Sequence, residues 1–274
     1  VASGQDQRQV RRTAVAGRFY PRSPHQLRTT VDELLGRARI VPAAAPKAII
    51  VPHAGYIYSG EVAAAAFALL QPHADTITRV VLIGPSHYVS FRGLALPTVD
   101  AFETPLGSVP LARGAATALA DLAPVVRADA PHEPEHALEV ELPFLQSVLR
   151  SFELVPVLTG DAAPEEVASV LDRLWGGPET LVVVSSDLSH FHDYETARRL
   201  DAVTADSIER GDWASLGPDN ACGYVAVAGL LIETNRRGLK VQRLALANSG
   251  DTAGTQDRVV GYGAWVTDAA RNAT

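Results

Sequence analysis

One cysteine, an excess of acidic over basic residues and no long apolar run set the first limits on what this chain can be. The single thiol, Cys222, excludes an intramolecular disulfide, so no bridge framework holds the fold and a reducing compartment is expected. Lysine and arginine together number 24 against 31 aspartates and glutamates, a net charge of -7, and no basic run is interleaved with aromatics. A phosphate backbone is therefore an unfavourable partner, and no nucleic acid is expected. No apolar stretch reaches the roughly 18 residues needed to span a bilayer, and Val1 to Thr13 lacks the apolar centre of a signal peptide. The expectation is a cytoplasmic protein without a membrane partner. The first residue is Val1 rather than methionine, so the numbering is expected to start within a longer gene product.

What is present is the composition of a globular protein. Hydrophobic residues make up 47% and charged residues 20%, which argues against a disordered or fibrous chain and allows a sizeable core. A length of 274 residues fits one large α/β domain, 1–274, with residues 1–13 expected to be a flexible tail because they are polar and arginine-rich.

Apolar runs of strand length alternate with segments of helical periodicity. Ser23 followed by Pro24 reads as a helix cap and first turn, with Leu27, Val31, Leu34 and Leu35 on one face and an end near Arg39. Val41 to Pro46 reads as a linker. Buried strands are expected at Ala48 to Val51, Arg79 to Ile83, Phe152 to Leu158 and Thr180 to Val184. Helices are expected from a cap at Ser59, at Ala115 to Leu122, Pro164 to Trp175 and Tyr194 to Arg210, and again after Gly223. Leu138, Leu142, Leu145 and Leu149 share a helical face that Pro143 should bend. Leu94 to Leu96 and Val109 to Leu111 are expected to form a hairpin or edge pair, and Leu239 to Ala247 and Val259 to Val266 the last strands. Such alternation implies a central, mostly parallel or mixed β-sheet flanked by helices.

The stretch LVVVSSDLSHFHDY, Leu181 to Tyr194, is an apolar run that stops at serines, an aspartate and histidines. Ligands in open α/β sheets bind outside the carboxyl ends of the strands, which is where Asp187 and His190 fall. Taken alone, the motif leaves a catalytic edge and a solvated loop equally open. His53 and His87 also follow strands, and Cys222 lies at a helix entry. Imidazole and thiolate are good ligands for zinc, iron or copper, so the joint placement shifts the reading towards a site. His25, His73 and His132 are assigned to solvent, and His192 and Asp193 to the surface beside the site.

The segments HAGYIYSG, GPSHY, EHALEVELPF, VVSSDLSHF and CGY occur in the order found in Memo-like proteins, which include the bacterial AmmeMemoRadiSam system protein B. The similarity extends from about Gly17 to Trp265, nearly the whole domain. This resemblance implies a fold like that of the class III extradiol ring-cleavage dioxygenases. It implies one transition metal, iron(II) foremost with copper or zinc as alternatives, held by His53, His87 and Cys222. Asp187 and His190 then line the same pocket, with His190 placed as the acid/base histidine. Imidazole can exchange protons near neutral pH, and a carboxylate can orient it. Tyr56, Tyr58, Ser86, His136 and Glu139 are the candidates for substrate contacts, the last two because residues three apart share a helix face.

Two functions follow from the resemblance. One is a metal-dependent oxidoreductase acting on a small-molecule or aromatic substrate. The other is a non-catalytic module that binds phosphorylated or acidic peptides, although no arginine cluster flanks the motifs as phosphate recognition favours. A zinc hydrolase is a third, lesser reading.

Overall fold

The alternation of apolar runs and helical periods produces a layered α/β domain. The structure, a computed structural model, describes residues 9–38, 45–122 and 124–267. In chain order these form β1 (Val10–Arg11), α1 (Pro24–Arg37), β2 (Ala48–Val51), α2 (Tyr56–Phe67), β3 (Arg79–Pro85) and β4 (Leu94–Leu96). Next come β5 (Ala101–Thr104), β6 (Gly107–Pro110), α3 (Ala115–Ala118), β7 (Val125–Arg127), α4 (Leu142–Val148), β8 (Glu153–Thr159) and α5 (Pro164–Leu174). The chain continues through β9 (Thr180–Ser185), β10 (His190–His192), α6 (Tyr194–Arg210), α7 (Tyr224–Arg236), β11 (Val241–Asn248) and β12 (Val259–Thr267).

The main sheet runs β10-β12-β2-β9-β3-β8-β4-β7, with β11 also paired to β12. Its centre, β2, β9, β3 and β8, is parallel, while β12 and β4 join it antiparallel. The sheet is thus mixed and mostly parallel at its heart. Alternate residues of each central strand supply two apolar layers, as the period of two requires. Ile49, Val51, Val80, Leu82, Leu181 and Val183 pack with α1, α2 and α4 on one face. Ile50, Val81, Ile83, Val182 and Val184 pack with α5, α6 and α7 on the other. Burial on both faces explains why these strands read as continuous apolar runs.

Several boundaries differ from the sequence expectation for identifiable reasons. Helix α2 starts at Tyr56, capped by Gly55, so Ser59 is not its cap; the Ser59 hydroxyl instead donates to the Ala54 carbonyl. Pro143 does not bend a helix, because α4 begins at Leu142 and the proline occupies its first turn, where no amide donor is missed. The expected pairing of Leu94 to Leu96 with Val109 to Leu111 does not form. Strand β4 lies between β7 and β8, and β6 pairs with β5 in a separate three-stranded sheet that β1 completes. The expected tail is also corrected from residue 9 onward, since Val10–Arg11 is a strand and Arg11 is buried. Residues 1–8 lie outside the described residues, as does most of the linker expected at Val41 to Pro46.

Candidate metal centre

Three neighbouring parallel strands end side by side, and their order in the sheet decides which residues meet. Strand β9 lies between β2 and β3, so the chain leaving β2 at His53, β9 at Asp187 and β3 at His87 emerges at one edge. A fourth segment, ahead of the short 3-10 turn Glu139–Glu141, brings His136 to the same place. One ligand nitrogen from each of His53, His87 and His136 lies within 4.8 Å of the others. Their ring centroids are 4.7 to 5.4 Å apart. His53 is buried, His136 half-buried and His87 open to solvent, so the cluster has a closed back and an accessible front. It could hold a metal ion.

Each imidazole is held from behind. His53 Nδ1 is 2.8 Å from Ser185 Oγ, and its Nε2 is 3.3 Å from Cys222 Sγ. His87 Nδ1 is 2.9 Å from Glu135 Oε1, and the His87 backbone N–H donates to Glu135 Oε2 at 2.6 Å. The N–H groups of His136 and Ala137 also donate to Glu135 Oε1, and His136 Nδ1 is 3.2 Å from both that oxygen and the Tyr88 hydroxyl. With the Nδ1 atoms engaged, the Nε2 atoms are the nitrogens left for an ion. Carboxylate and hydroxyl partners of this kind orient metal-binding histidines.

The electrostatics favour neutral imidazoles at His53 and His136. Burial, reinforced by repulsion from His87, holds His53 down to about 3. Burial followed by repulsion from His53 does the same to His136, also about 3. For Glu135, burial alone would raise the carboxyl, but the bonds from His87 and the backbone outweigh it and hold the group at about 2. Burial pushes the Cys222 thiol up to about 12, with Asp187 adding to the effect. Burial likewise raises Asp187 to about 6, opposed by the His53 N–H that donates to its Oδ1 at 2.8 Å.

The remaining residues expected at the site divide. His190, half-buried in β10, pairs with Val260 of β12 and is close enough to His53 and Asp187 to affect both electrostatically. Tyr58 is half-buried. The hydroxyl of Tyr56 is spent on the Val140 carbonyl at 2.7 Å, and that of Ser86 on the Val89 carbonyl at 2.8 Å. Glu139 is fully buried, paired with Arg11 and bonded by Ala14 N–H, Val15 N–H and the Tyr20 hydroxyl, so its acceptor capacity is used within the protein. The helix-face argument that joined His136 to Glu139 fails because this segment is a turn. His132 is not in solvent either; it is buried, with Nε2 3.1 Å from the Ala95 carbonyl. Glu135, Ser185 and Tyr88 were not singled out from the sequence: Ser185 and Tyr88 sit at or just after strand ends but beside residues with stronger ligand chemistry, and no local pattern marks Glu135.

A cavity of about 690 Å³ is lined by Phe19, Tyr56, Tyr58 and Asp251 but by none of the three histidines or Cys222. Phe19 is its link to the cluster, with its ring centroid 4.8 Å from that of His136.

The thiol is placed by a close backbone approach. A Cβ added at Gly223 would meet the Ser185 carbonyl and Ser186 Cβ at 2.8 Å, so only glycine lets the turn carrying Cys222 pass β9. Gly223→Ala is expected to destabilise the fold by about 1–3 kcal/mol and shift the thiol. Urea denaturation and the rate of thiol alkylation in the folded state would check this; an unchanged pair of values would contradict it.

Asp201 of α6 fixes the segment leading to His190, accepting the Ser189 N–H at 3.0 Å. Burial raises its carboxyl from 3.8 to about 6. The folded state thus binds the proton more tightly than the unfolded chain, and stability falls as pH rises between those values. The full penalty, on the order of 3 kcal/mol, applies above about pH 6 and vanishes below about pH 4. Asp201→Asn keeps the acceptor, so it is expected to stabilise the protein at neutral pH and to make no difference at low pH. Denaturation curves at both pH values would test the sign.

A family model described as Memo-like protein matches residues 11–266. The chain belongs to the Memo-like family. It is 34% identical to a MEMO1 family protein of Thermotoga petrophila, covering 92% of this chain and 97% of that one. A MEMO1 family protein of Methanosarcina mazei is 34% identical over 95% of this chain and 100% of its own length. A solved structure of an uncharacterized Escherichia coli K12 protein superposes with a TM-score of 0.52 at 11% identity, covering 81% of this chain and 99% of that one. This last likeness concerns the fold. Among the described residues, no helix of this Memo-like chain is long and apolar enough to cross a membrane.

Proposed function

We propose that this Memo-like protein is a metal-dependent oxidoreductase acting on a small aromatic substrate in a reducing, cytoplasmic setting. The observation that carries the reading is the convergence of three imidazoles, each backed by a hydroxyl or carboxylate, at the carboxyl edge of the sheet. His53, His87 and His136 would hold the ion, with Cys222 beside His53 as a soft donor from the same edge. Three imidazoles and a thiol suit iron, copper and zinc; iron(II) is the first choice for oxygen chemistry. A bound metal would supply a Lewis-acidic and redox-active centre.

The chain's own residues would do the rest. Glu135 orients His87 and His136, and Ser185 orients His53. Asp187, raised to about 6 by burial, would hold and release a proton near neutral pH, with His190 beside it at the same edge. Phe19, Tyr58 and exposed Tyr88 offer aromatic surface to a flat substrate.

The second reading is a binding module for phosphorylated or acidic peptides. It draws on exposed Phe191 beside His190, with the Arg258 guanidinium 4.9 Å over its ring. Elemental analysis of protein purified without added metal, followed by oxygen uptake with a panel of catechols and hydroquinones, tests the first reading. Metal at close to one equivalent with substrate-dependent uptake is expected. No metal in the protein, even after incubation with iron(II), copper or zinc, would sink it. Bound metal without oxygen uptake, together with heat on titrating a phosphotyrosine peptide, would favour the second.

A further inference from the structure

Behind the histidine cluster, Ser185 at the end of β9 touches three polar atoms at once. Its Oγ lies 2.8 Å from His53 Nδ1, 2.8 Å from the Ala137 carbonyl oxygen and 2.8 Å from Glu141 Oε1. A serine hydroxyl has one hydrogen to give and two lone pairs with which to accept. The Ala137 carbonyl can only accept, so it takes that hydrogen. The other two partners must then donate. Donation from His53 places its proton on Nδ1, and donation from Glu141 requires a proton on Oε1.

The surroundings of Glu141 agree with this count. Its side chain is fully buried, its hydrogen bonding among the described residues reaches only Ser185, and Oε2 has no partner. No ion pair to an arginine, lysine or histidine is formed by Glu141 among the described residues. An ionised carboxylate here would leave a charge unpaired in the interior, whereas a neutral acid leaves one carbonyl oxygen unbonded, a far smaller penalty. Burial drives this carboxyl well above its ordinary range, and the nearby Asp187 adds to the effect. The nearby Tyr56 hydroxyl is committed to the Val140 carbonyl and does not serve Glu141.

We propose that Glu141 is a neutral carboxylic acid that acts through Ser185 as a positioning residue, locking His53 in its Nδ1–H tautomer. The Nε2 lone pair of His53 is thereby kept on the side of Cys222, 3.3 Å away. The lock exists with or without a metal; its effect on metal affinity rests on the function proposed above.

Infrared spectra of the full, metal-free chain at about pH 8, where Asp187 and Asp201 are ionised, test the protonation. A carbonyl stretch of a protonated acid, at higher frequency than carboxylate and shifted in heavy water, is expected in the parent and absent from Glu141→Gln. Nitrogen NMR of labelled histidine tests the lock. The parent and Glu141→Gln, whose amide can still donate to Ser185, should both show an unprotonated His53 Nε2. Ser185→Ala, a second variant that keeps the carboxyl, should show a mixture of tautomers. Absence of the acid band from the parent, its persistence in Glu141→Gln, or a single unchanged tautomer in Ser185→Ala would overturn the proposal. Zinc titration separates the two readings. A loss of about 10–100-fold in affinity is expected for Ser185→Ala. Mixed tautomers in Ser185→Ala alone, with no zinc affinity in the parent or any variant, would overturn the metal site and leave the lock standing, whereas mixed tautomers in the parent would overturn the lock.

Discussion

His53→Ala is expected to reduce transition-metal affinity by more than 100-fold, beyond the 10–100-fold that loss of an orienting partner brings. The reason lies in its position: His53 is the buried member of the cluster, and its nitrogens join Ser185 on one side to Cys222 on the other. His87→Ala should behave similarly. Glu135→Gln should lose about 10–100-fold, because its oxygens receive His87, His136 and three backbone N–H groups but do not belong to the imidazole cluster.

The informative comparison is between His136→Ala and Cys222→Ala. The resemblance to Memo-like proteins implies Cys222 as the third ligand, whereas the ligand atoms gathered within 4.8 Å belong to His53, His87 and His136. Cobalt(II) titration reads both affinity and ligand type, since a sulfur ligand adds an intense charge-transfer band. If both residues serve, each alanine variant weakens binding and only Cys222→Ala loses the band. Wild-type affinity in all four alanine variants would remove the metal centre altogether.

Arg11→Leu is expected to destabilise the protein by about 3–5 kcal/mol, the penalty for leaving a buried charge without its partner. The Arg11 guanidinium is paired with Glu139 and also donates to the His132, Glu133 and Glu135 carbonyls. One side chain from β1 thus ties down the turn that carries Glu135 and His136. Loss of metal affinity should accompany loss of stability, and the two can be separated with Glu139→Gln. That variant removes the charge, and its single amide oxygen can replace only one of the two carboxylate oxygens, serving either the Ala14 N–H or the Val15 N–H and Tyr20 hydroxyl, while the backbone carbonyls that Arg11 reaches are left in place. Chemical denaturation and zinc titration of both variants would check the coupling. A change below about 1 kcal/mol for Arg11→Leu would show that the ion pair is not what holds the turn.

Much of the fold was legible because its signals are local. Buried parallel strands declare themselves as apolar runs, and Ser23 with Pro24, Gly211 and the Gly223 turn mark helix ends through short-range chemistry. The ends of β2, β3 and β9 could therefore be read, and with them His53, His87, Asp187 and His190 as residues near one edge. The segment from His132 to Glu141 could not. Its apolar spacing imitates a helix, but Arg11 binds its carbonyls, and its own Glu139 binds the Ala14 and Val15 N–H groups, across more than 100 positions, and the backbone follows those bonds instead.

By itself, then, the sequence determined the layered α/β architecture, the absence of an intramolecular disulfide and the family resemblance, since each depends on residue type, period or order. Tertiary structure alone decided that β9 runs between β2 and β3, bringing their histidines together. It also made Glu139 a structural anchor and placed His136 in the cluster. It was the fold, too, that surrounded Ser185 with one acceptor and two donors. Contacts of that kind join side chains tens to over a hundred residues apart, and no local pattern records which of them will meet.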